Sequence, residues 1–419
     1  MIELEEARAY VLEACAPLAP VRLPIARTLG CVAAEAQVST DLVPPFANTA
    51  VDGFAVRADD TAGADPARPV RLRVIATIRA GMAPGVSPGP GEAVRIMTGA
   101  PVPVGADAVV MVERTAAVVT AAGAAELIDV VSPVAVGDAV RLAGDDLRPG
   151  DPVFPAGDVL SAGHLGVLAT LGLTEVAVVP RARVGVLSTG DELVDGPGPL
   201  QPGQIRDSNR RTLLALVEQA GCVGVDLGRI PDDETAISEA IRRGASECDA
   251  LVTSGGVSMG DFDFVKIVLD RIGDMRWMQV AIRPAKPLAF GTVPASPTDP
   301  MSRRVPVFGL PGNPVSSVVS FELFARPGLR QMMGRAATDL DRPLVQAVAD
   351  DRLARRRDGK THFARVVCRY GTDARYHVRS AGGQGSHHLS ALVGANALAV
   401  LADGDAVEPG DTVAVYLTD

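Results

Sequence analysis

The sequence predicts a multidomain protein of the α/β plus β class, organised around one doubly wound, mostly parallel sheet. Three observations support this prediction. Between residues 181 and 330, short apolar strands alternate with helical segments, which is the pattern of successive βαβ units. From 60 to 140 and again after 330, helical periodicity is absent and short alternating strands are separated by Pro/Gly turns. A chain of 419 residues is also too long for a single hydrophobic core.

We therefore predict four domains, one of them discontinuous in sequence. A mixed N-terminal domain comprises residues 1–45 and 141–180, and a small β domain is inserted into it at 46–140. The doubly wound domain covers 181–330, and a small β-barrel-like domain covers 331–419.

Composition narrows the class of protein. A hydrophobic content of 47% with 21% charged residues is typical of a folded, soluble chain. The formal charge of −10 argues against a nucleic-acid or membrane-surface binder, so an anionic ligand needs local arginines or backbone N–H groups. Five scattered cysteines without a CxxC pair predict neither disulfides nor a zinc site and favour the cytoplasm. The acidic N-terminus predicts no signal peptide, and no apolar run is long enough to cross a bilayer.

The chain begins with a helix and continues into a loop held extended by prolines. Residues 1–16 have the apolar spacing of an amphipathic helix. In segment 41–55, two adjacent prolines disfavour helix. Asn48, Thr49 and Asp52 stand there among apolar neighbours. The segment is therefore either a hairpin tip at its Asp-Gly turn or a rigid loop that contacts a ligand, and the residues alone leave both open.

Two further loops of the first half are candidates for ligand contacts. In the segment 95–100, Thr98 precedes a glycine, which is plausible in a ligand-binding loop. The segment 141–148 is the most charged loop of this half and contains Arg141 and Asp146. A solvated turn is the commoner role for such a loop.

The region 181–330 is predicted to place its loops at one edge of the sheet. Strands are predicted at 184–187, 223–227, 251–253, 278–282 and 305–310, and helices at 208–219, 234–245, 262–272 and 315–329. Because carboxyl ends of parallel strands meet at one edge, ligands are expected there. Four strand ends carry polar or Gly/Pro loops, which are Ser188-Thr189-Gly190-Asp191-Glu192, Pro231-Asp232-Asp233, Ser254-Gly255-Gly256 and Pro311-Gly312-Asn313-Pro314.

Three helix starts in this region are candidate anion sites, because a helix N-terminus presents free N–H groups. The first follows the Ser/Gly loop, where Asp261 and Asp263 would repel a phosphate unless Mg²⁺ or a ligand amine were bound. Both aspartates could equally be helix caps. The second has Asn313 as N-cap and Pro314 at the first helical position. The third is Asp207-Ser208-Asn209, with arginines beside it.

Five motifs, in this order along the chain, resemble the molybdopterin molybdenumtransferase family, which includes MoeA and the E domain of gephyrin. The resemblance extends from about Asp41 to the Gly-Ser-His-His-Leu-Ser and Ala-Asn-Ala segments near the C-terminus. The motifs are Val51–Ala55, Arg95–Ala100, Leu187–Leu193, Thr253–Asp263 and Leu310–Ser316.

This resemblance implies an enzyme of molybdenum cofactor biosynthesis that inserts molybdate into adenylylated molybdopterin and releases AMP, assisted by Mg²⁺. It implies an elongated homodimer of four-domain subunits whose active cleft lies between subunits. The doubly wound domain would be molybdopterin-binding and similar to that of the molybdopterin adenylyltransferases, one of which is a candidate partner.

The resemblance also implies site residues. It assigns catalytic roles to Asp52, Glu192, Asp232 and Asp263, and makes the last three ligands of Mg²⁺. Molybdate is a dianion and needs local positive charge, for which Arg283 and Lys286 are the best candidates. The binding positions in full are Thr98, Arg141, Asp146, Ser188, Thr189, Gly190, Ser254, Gly255, Gly256, Ser258, Arg283, Lys286, Pro311, Gly312, Asn313, Pro314 and Ser386.

Two residues depart from the family pattern, and two other functions compete with the leading one. Ala285 stands where many members have glycine, and the neutral Gln279 lies near the position of a lysine, so the molybdate contacts remain open. The competing functions are a molybdopterin adenylyltransferase and a molybdopterin-binding or scaffold protein without catalysis. The additional domains argue against the first, and the clustered carboxylates argue against the second, because clustered like charges are costly.

Overall fold

The computed structural model describes residues 1–119, 125–256, 264–299 and 301–418. Contacts between residues group the chain into two compact units. The larger unit comprises Met1–Ala34, Gly157–Ser161 and Val176–Asp419, and the smaller comprises Glu35–Ala156 and Ala162–Glu175. No helix among the described residues is both long and apolar enough to cross a membrane.

The helices and strands are numbered here in chain order. The helices are α1 (Leu4–Ala14), α2 (Ala162–Thr170), α3 (Ser208–Gln219), α4 (Glu234–Glu247), α5 (Phe264–Ile272), α6 (Pro314–Ser320), α7 (Arg326–Met332) and α8 (Ala391–Gly394). The strands are β1 (Val21–Pro24), β2 (Val32–Ala33), β3 (Gln37–Val38), β4 (Asn48–Thr49), β5 (Gly53–Val56), β6 (Val70–Ile78), β7 (Glu92–Ile96), β8 (Ala108–Met111), β9 (Thr115–Val118), β10 (Leu127–Val130), β11 (Val140–Arg141), β12 (Pro152–Phe154), β13 (Glu175–Val179), β14 (Arg183–Thr189), β15 (Leu193–Val194), β16 (Ile205–Arg206), β17 (Val223–Ile230), β18 (Ala250–Ser254), β19 (Asp274–Gln279), β20 (Ile282–Arg283), β21 (Pro287–Pro294), β22 (Arg304–Leu310), β23 (Leu344–Ala349), β24 (Thr361–Tyr370), β25 (Tyr376–Ser380), β26 (Ala397–Leu401) and β27 (Thr412–Leu417).

The smaller unit is built on a six-stranded sheet, which confirms the predicted inserted β domain. Its strand order is β8-β5-β7-β6-β10-β9, and every neighbouring pair is antiparallel except β6 and β7. Phe54, Leu72, Val110 and Ile128 belong to one hydrophobic cluster of this unit. Two short ribbons, β11-β4 and β12-β3, lie outside the sheet.

The larger unit contains the predicted doubly wound sheet, with strand order β17-β14-β18-β22-β21-β19. The first four strands are parallel and the last two are antiparallel. Separate hydrophobic clusters cover its two faces. One contains Val186, Val252, Phe308 and Leu213 with residues of α1, and the other contains Leu251 with residues of α4 and α5. Because both faces of the sheet are covered, successive residues of a strand are buried whichever face they point to, and this explains the nearly continuous apolar runs of these strands.

The sequence prediction was wrong at the edge of this sheet. The strand predicted at 278–282 divides into β19 and β20, and β21 was not predicted. Strands β19 and β21 pair antiparallel, with Gln279 opposite Pro287. The prediction failed because strict βαβ alternation requires a crossover between strands, whereas these two strands are joined by a short connection that also carries β20.

The helix predicted at 315–329 is interrupted. It consists of α6, a π-helical segment Phe321–Ala325 and α7. Pro327 explains the interruption, because proline has no N–H to bond the carbonyl four residues earlier and its ring would clash with that carbonyl. That carbonyl, on Leu323, instead accepts a hydrogen bond of 2.7 Å from Arg8 Nη1.

The C-terminal region forms the predicted barrel. Strands β24, β25, β23, β27 and β26 are neighbours in that order, and β26 pairs back to β24. The five strands therefore close on themselves. Strand β20 adds to the outside of β24 in parallel, with Arg283 opposite His362.

Candidate active site

Four loops meet at the carboxyl edge of the doubly wound sheet. The parallel register places Ser188 beside Ser254, and Ser254 beside Leu310. Thr189 lies beside Ile230, the last residue of β17. The loops that follow β17, β14, β18 and β22 are consequently neighbours in space, although the sequence separates them by up to 120 residues or so.

Two of these loops bring carboxylates together. The Asp191 N–H donates to the Asp232 carboxylate at 3.4 Å, and the Asp232 N–H donates to the Asp191 carboxylate at 3.2 Å. Gly190 has φ of +145°, and a Cβ there would lie 2.5 Å from a carboxylate oxygen of Glu192. Glycine is therefore needed for the Glu192 side chain to lie across its own loop. Among the described residues, no three His, Cys, Asp or Glu side chains are grouped as metal ligands.

The other two loops pack closely around Gly255. Its N–H donates to the Leu310 carbonyl at 3.1 Å, and a Cβ at this position would lie 3.1 Å from the Thr189 carbonyl oxygen. The φ angles of +94° at Gly255 and +69° at Gly256 also favour glycine. Ser258, Asp261 and Asp263 lie outside the described residues.

At the predicted anion site Asp207-Ser208-Asn209, the expectation that Arg210 offers its positive charge to a ligand is wrong. Asp207 is the N-cap of α3, and its carboxylate accepts hydrogen bonds from Ser188 Oγ at 2.5 Å and Arg210 Nε at 2.8 Å. Arg210 is 3% exposed and also donates to the carboxylates of Asp195 and Asp226. Its charge is used inside the protein and is not presented to a ligand.

At the helix start at Asn313, one of the backbone N–H groups already donates to another part of the protein. Pro314 is the first residue of α6, as predicted, but the Asn313 side chain makes no capping hydrogen bond. The N–H of Val315 donates to the Ser386 carbonyl at 3.1 Å. This contact reduces the number of N–H groups available to an anion and brings the Ser386 loop to the carboxyl edge of the sheet.

The cationic candidates lie on a strained loop. Ala285 is buried and has φ of +74°, a left-handed conformation that costs an alanine about 1 kcal/mol or more. Arg283 Nη1 lies 3.5 Å from the Asp358 carboxylate. The Lys286 carbonyl accepts a hydrogen bond of 2.8 Å from the Val280 N–H. Arg283 also lines a cleft of about 300 Å³ together with Arg355, Arg356, His362 and Gln384.

The smaller unit contains its own polar pair. Asp52 Oδ1 accepts hydrogen bonds from the Thr98 N–H at 2.7 Å and from Thr98 Oγ1 at 2.8 Å. These bonds, the backbone one foremost, lower the pKa of Asp52. The hairpin-tip alternative is wrong, because β4 pairs with β11 and not with β5; this pairing sets Asn48 opposite Arg141. The Asp146 N–H donates to the Val43 carbonyl at 2.9 Å.

Comparison with known proteins agrees with this arrangement along the whole chain. Residues 2–172 match the MoeA N-terminal region (domain I and II), residues 185–331 a probable molybdopterin binding domain, and residues 346–418 the MoeA C-terminal region (domain IV). Molybdopterin molybdenumtransferase 2 of Mycobacterium tuberculosis is 38% identical over 404 residues, which is 95% of either chain. The chain belongs to the molybdopterin molybdenumtransferase family.

Two further relatives support this membership. The molybdopterin molybdenumtransferase of Haemophilus influenzae is 36% identical over 418 residues, which is 99% of this chain and 98% of that protein. The crystal structure of a molybdopterin biosynthesis MoeA protein from Pyrococcus horikosii has a TM-score of 0.76 at 30% identity, covering 100% of this chain and 99% of the other. The chain is accordingly an enzyme of molybdenum cofactor biosynthesis.

Sequence reasoning missed one buried cation of this molybdenumtransferase. Arg365 on β24 is fully buried, and its Nη2 donates to the carbonyls of Gly383 and Gly385 at 2.6 and 3.2 Å. Among the described residues its Nε and Nη1 have no hydrogen-bond partner, and burial lowers the pKa of the guanidinium. The loop that it holds carries Ser386. No sequence signal identified it, because an arginine within a strand usually points to solvent.

Proposed function

We propose that the chain inserts molybdate into adenylylated molybdopterin and releases AMP with the assistance of Mg²⁺. The observation that supports this proposal most is that carboxylate-bearing loops and glycine loops lie at the same edge of the sheet. Carboxylates follow β14 and β17, whereas compact glycine loops follow β18 and β22. Glycine loops allow the backbone to approach a phosphate closely, and carboxylates suit the metal that accompanies a phosphate.

Mg²⁺ fits the donor set at this edge. It prefers oxygen ligands and is usually held by one or two carboxylates, together with substrate phosphates and water. Glu192 and Asp232 could supply these carboxylates, and Asp263 is proposed as a third ligand. When bound, Mg²⁺ would neutralise negative charge on the phosphoanhydride.

The protein residues have separate tasks in this proposal. The loops Ser254–Gly256 and Pro311–Pro314 would bind the substrate phosphates. Thr189 and Gly190, at the end of the neighbouring strand β14, would line the same site. A water oxygen attacks an anhydride phosphorus, so a new P–O bond forms as the anhydride P–O bond breaks, and AMP leaves with its negative charge stabilised by the surrounding cations. The Ser188 hydroxyl is committed to Asp207, so Ser188 would support the site without contacting the substrate.

Molybdate would be bound by cations on the barrel side of the same unit. Arg283 and Lys286 belong to the loop at Ala285. The buried Arg365 lines a separate cavity with Thr212 and Leu392, so it is not assigned to the same anion. A buried guanidinium with unused donors is expensive unless an anion or water pairs with it. Ser386 lies in the loop that Arg365 holds. In the smaller unit, Asp52 and Thr98, with Arg141 and Asp146, are proposed as further binding residues.

We further propose that the enzyme is a cytoplasmic homodimer that receives its substrate from a molybdopterin adenylyltransferase. The cytoplasm fits the cysteines, which are all free and buried, namely Cys15, Cys31, Cys222, Cys248 and Cys368. Light scattering at micromolar concentration tests the dimer. A co-purification experiment with a molybdopterin adenylyltransferase tests the partner.

AMP release from adenylylated molybdopterin, with Mg²⁺ and molybdate, tests the proposed function. Glu192→Gln and Asp52→Asn should each lower molybdate-dependent release by about 100-fold, because each removes the charge of a carboxylate proposed to be catalytic. Glu218→Gln is the control, since Glu218 bonds the Gly224 N–H away from the carboxyl edge. Tight binding of molybdopterin without AMP release from the native chain would overturn the proposal.

A further inference from the structure

We propose that Asn209 and Arg210, adjacent in the first turn of α3, are positioning residues that hold three of the four strand-end loops in place, those after β14, β18 and β22. Neither side chain is assigned a contact with substrate. What the loops bind rests on the proposed function, but the contacts that hold them do not. The two residues act on different loops, so their effects should be separable.

Arg210 acts on the carboxylate loop. Its Nη2 donates to both carboxylate oxygens of Asp195 at 2.6 and 2.7 Å, and its Nη1 donates to both of Asp226 at 2.5 and 2.7 Å. Its Nε donates to Asp207. One buried guanidinium thus faces three carboxylates, with Arg211 as the only further cation recorded within 4 Å of them among the described residues. The group is negative overall, which argues against an anion site.

Asp195 connects Arg210 to Glu192. It directly follows β15, which pairs with β16, and the Ile205 N–H donates to the Glu192 carbonyl at 2.8 Å. The Glu192 segment is therefore fixed at one end by β14 and at the other by the Asp195–Arg210 pair. Both oxygens of Asp195 lie within hydrogen-bond distance of one nitrogen of the buried guanidinium, so this charge-assisted contact fixes the distance of the Asp195 carboxylate from α3.

Asn209 acts on the two glycine loops. Its Nδ2 donates to Ser254 Oγ at 2.8 Å and to the Gly312 carbonyl at 2.7 Å. A single amide thereby joins the end of β18 to the end of β22. With the Arg210 contacts, the first turn of α3 is bonded to β14 through Asp207, to β17 through Asp226, and to the two glycine loops.

The metal arm of the test compares Asp195→Asn with Asp226→Asn. Each carboxylate accepts from one nitrogen of Arg210 through both of its oxygens, but only Asp195 lies in the same loop as Glu192. We expect Asp195→Asn to weaken Mn²⁺ binding, measured by electron paramagnetic resonance without substrate, by about 10-fold, which is typical for loss of an outer partner of a ligand. The Mg²⁺ concentration for half-maximal AMP release should rise equally. Asp226→Asn should change neither value by more than about 2-fold.

The substrate arm compares Asn209→Ala with Thr212→Val. Thr212 lies one turn further along α3, and its hydroxyl donates to the Ser208 carbonyl within the same helix. Asn209→Ala should weaken equilibrium binding of molybdopterin by about 10-fold, as expected for two ordinary hydrogen bonds, and leave Mn²⁺ binding unchanged. Thr212→Val should leave both unchanged.

A purely structural role for this turn makes a different prediction. In that case Asp195→Asn and Asp226→Asn would lower the melting temperature alike and alter Mn²⁺ binding alike, and that result would overturn the proposal. Equal loss of metal and molybdopterin binding in Asn209→Ala would overturn it as well. If the native chain releases no AMP but the two binding measurements still separate as expected, the proposed function fails and the positioning roles stand.

Discussion

At the scale of single residues, the hydrogen-bond partners of a charged side chain determine its pKa. Asp52 is exposed to solvent, yet its pKa is lowered because the Thr98 N–H and hydroxyl both donate to the carboxylate. The ionised form is therefore favoured down to lower pH than in an unbonded aspartate. Such a group stabilises the fold above its unfolded pKa, and this contribution disappears as the pH falls through the folded pKa.

We predict that Thr98→Val raises the pKa of Asp52 towards its ordinary value, because the hydroxyl bond is lost while the backbone bond remains. If catalysis needs ionised Asp52, the acidic limb of kcat/KM moves to higher pH. Carboxyl NMR titration of Asp52 measures the first effect, and the pH profile of AMP release measures the second. Thr115→Val is the control, because the Thr115 hydroxyl bonds only the Val112 carbonyl. An unchanged Asp52 titration would contradict the prediction.

The contrast between Arg210 and Arg365 shows where sequence reasoning ends at this scale. Arginines near a helix start were expected to attract an anion, but Arg210 is enclosed by three carboxylates, one at the N-cap of its own helix and two on other segments. Arg365 was not expected at all, although its unused donors make it a stronger candidate. Residue type indicates that a charge is present, whereas its partners depend on tertiary contacts. The glycines at 190 and 255 were easier to predict, since their role is in the local backbone.

At the scale of elements, the π-helical segment between α6 and α7 connects a local conflict to a distant residue. Pro327 cannot donate to the Leu323 carbonyl, and Arg8 on α1 donates to it instead. Arg8 Nη2 also donates to both oxygens of Asp341 at 2.8 Å. A buried carbonyl left unsatisfied costs about 1–3 kcal/mol, so Arg8 is expected to matter for stability.

We predict that Arg8→Met lowers the free energy of unfolding by about 2 kcal/mol, because it leaves the Leu323 carbonyl and Asp341 without their donor. Methionine keeps most of the apolar stem, so lost packing contributes little. Urea denaturation measures the change. Arg276→Met is the matched control: Arg276 pairs with Glu6 at 2.9 Å on the surface, where loss of an ion pair costs less than about 1 kcal/mol. Equal effects of the two variants would contradict our account of the π-helical segment.

The elements of the parallel sheet were predictable and its edge was not. Strands β14, β17, β18 and β22 are apolar runs followed by turn signals, and both features are local. Strand β21 begins with a proline and contains a glycine, which are signals that normally argue against a strand. Strand β21 is stabilised by its pairing with β19 and not by its composition. That pairing cannot be predicted from either segment alone.

At the scale of the whole molecule, sequence order and spatial grouping differ. The first 34 residues group by contact with residues 176–419 and not with the segment that follows them. Ala7, Val11 and Cys15 of the N-terminal segment are buried in the same cluster as Phe308 and Leu329. The Gln331 side chain donates to the Leu12 and Cys15 carbonyls at 2.7 and 3.0 Å. The doubly wound sheet is therefore covered on one face by residues far from it in sequence.

We predict that deletion of residues 1–17 destabilises the larger unit by on the order of 5 kcal/mol, because it uncovers that apolar face. In calorimetry the transition of the larger unit should move to lower temperature. Dye binding to exposed apolar surface should increase in the same range. Adding residues 1–17 back as a separate peptide should partly restore the native transition, since the contacts of α1 do not require a covalent connection. An unchanged transition after the deletion would show that α1 contributes little, and the sheet would then be stable with one face partly exposed.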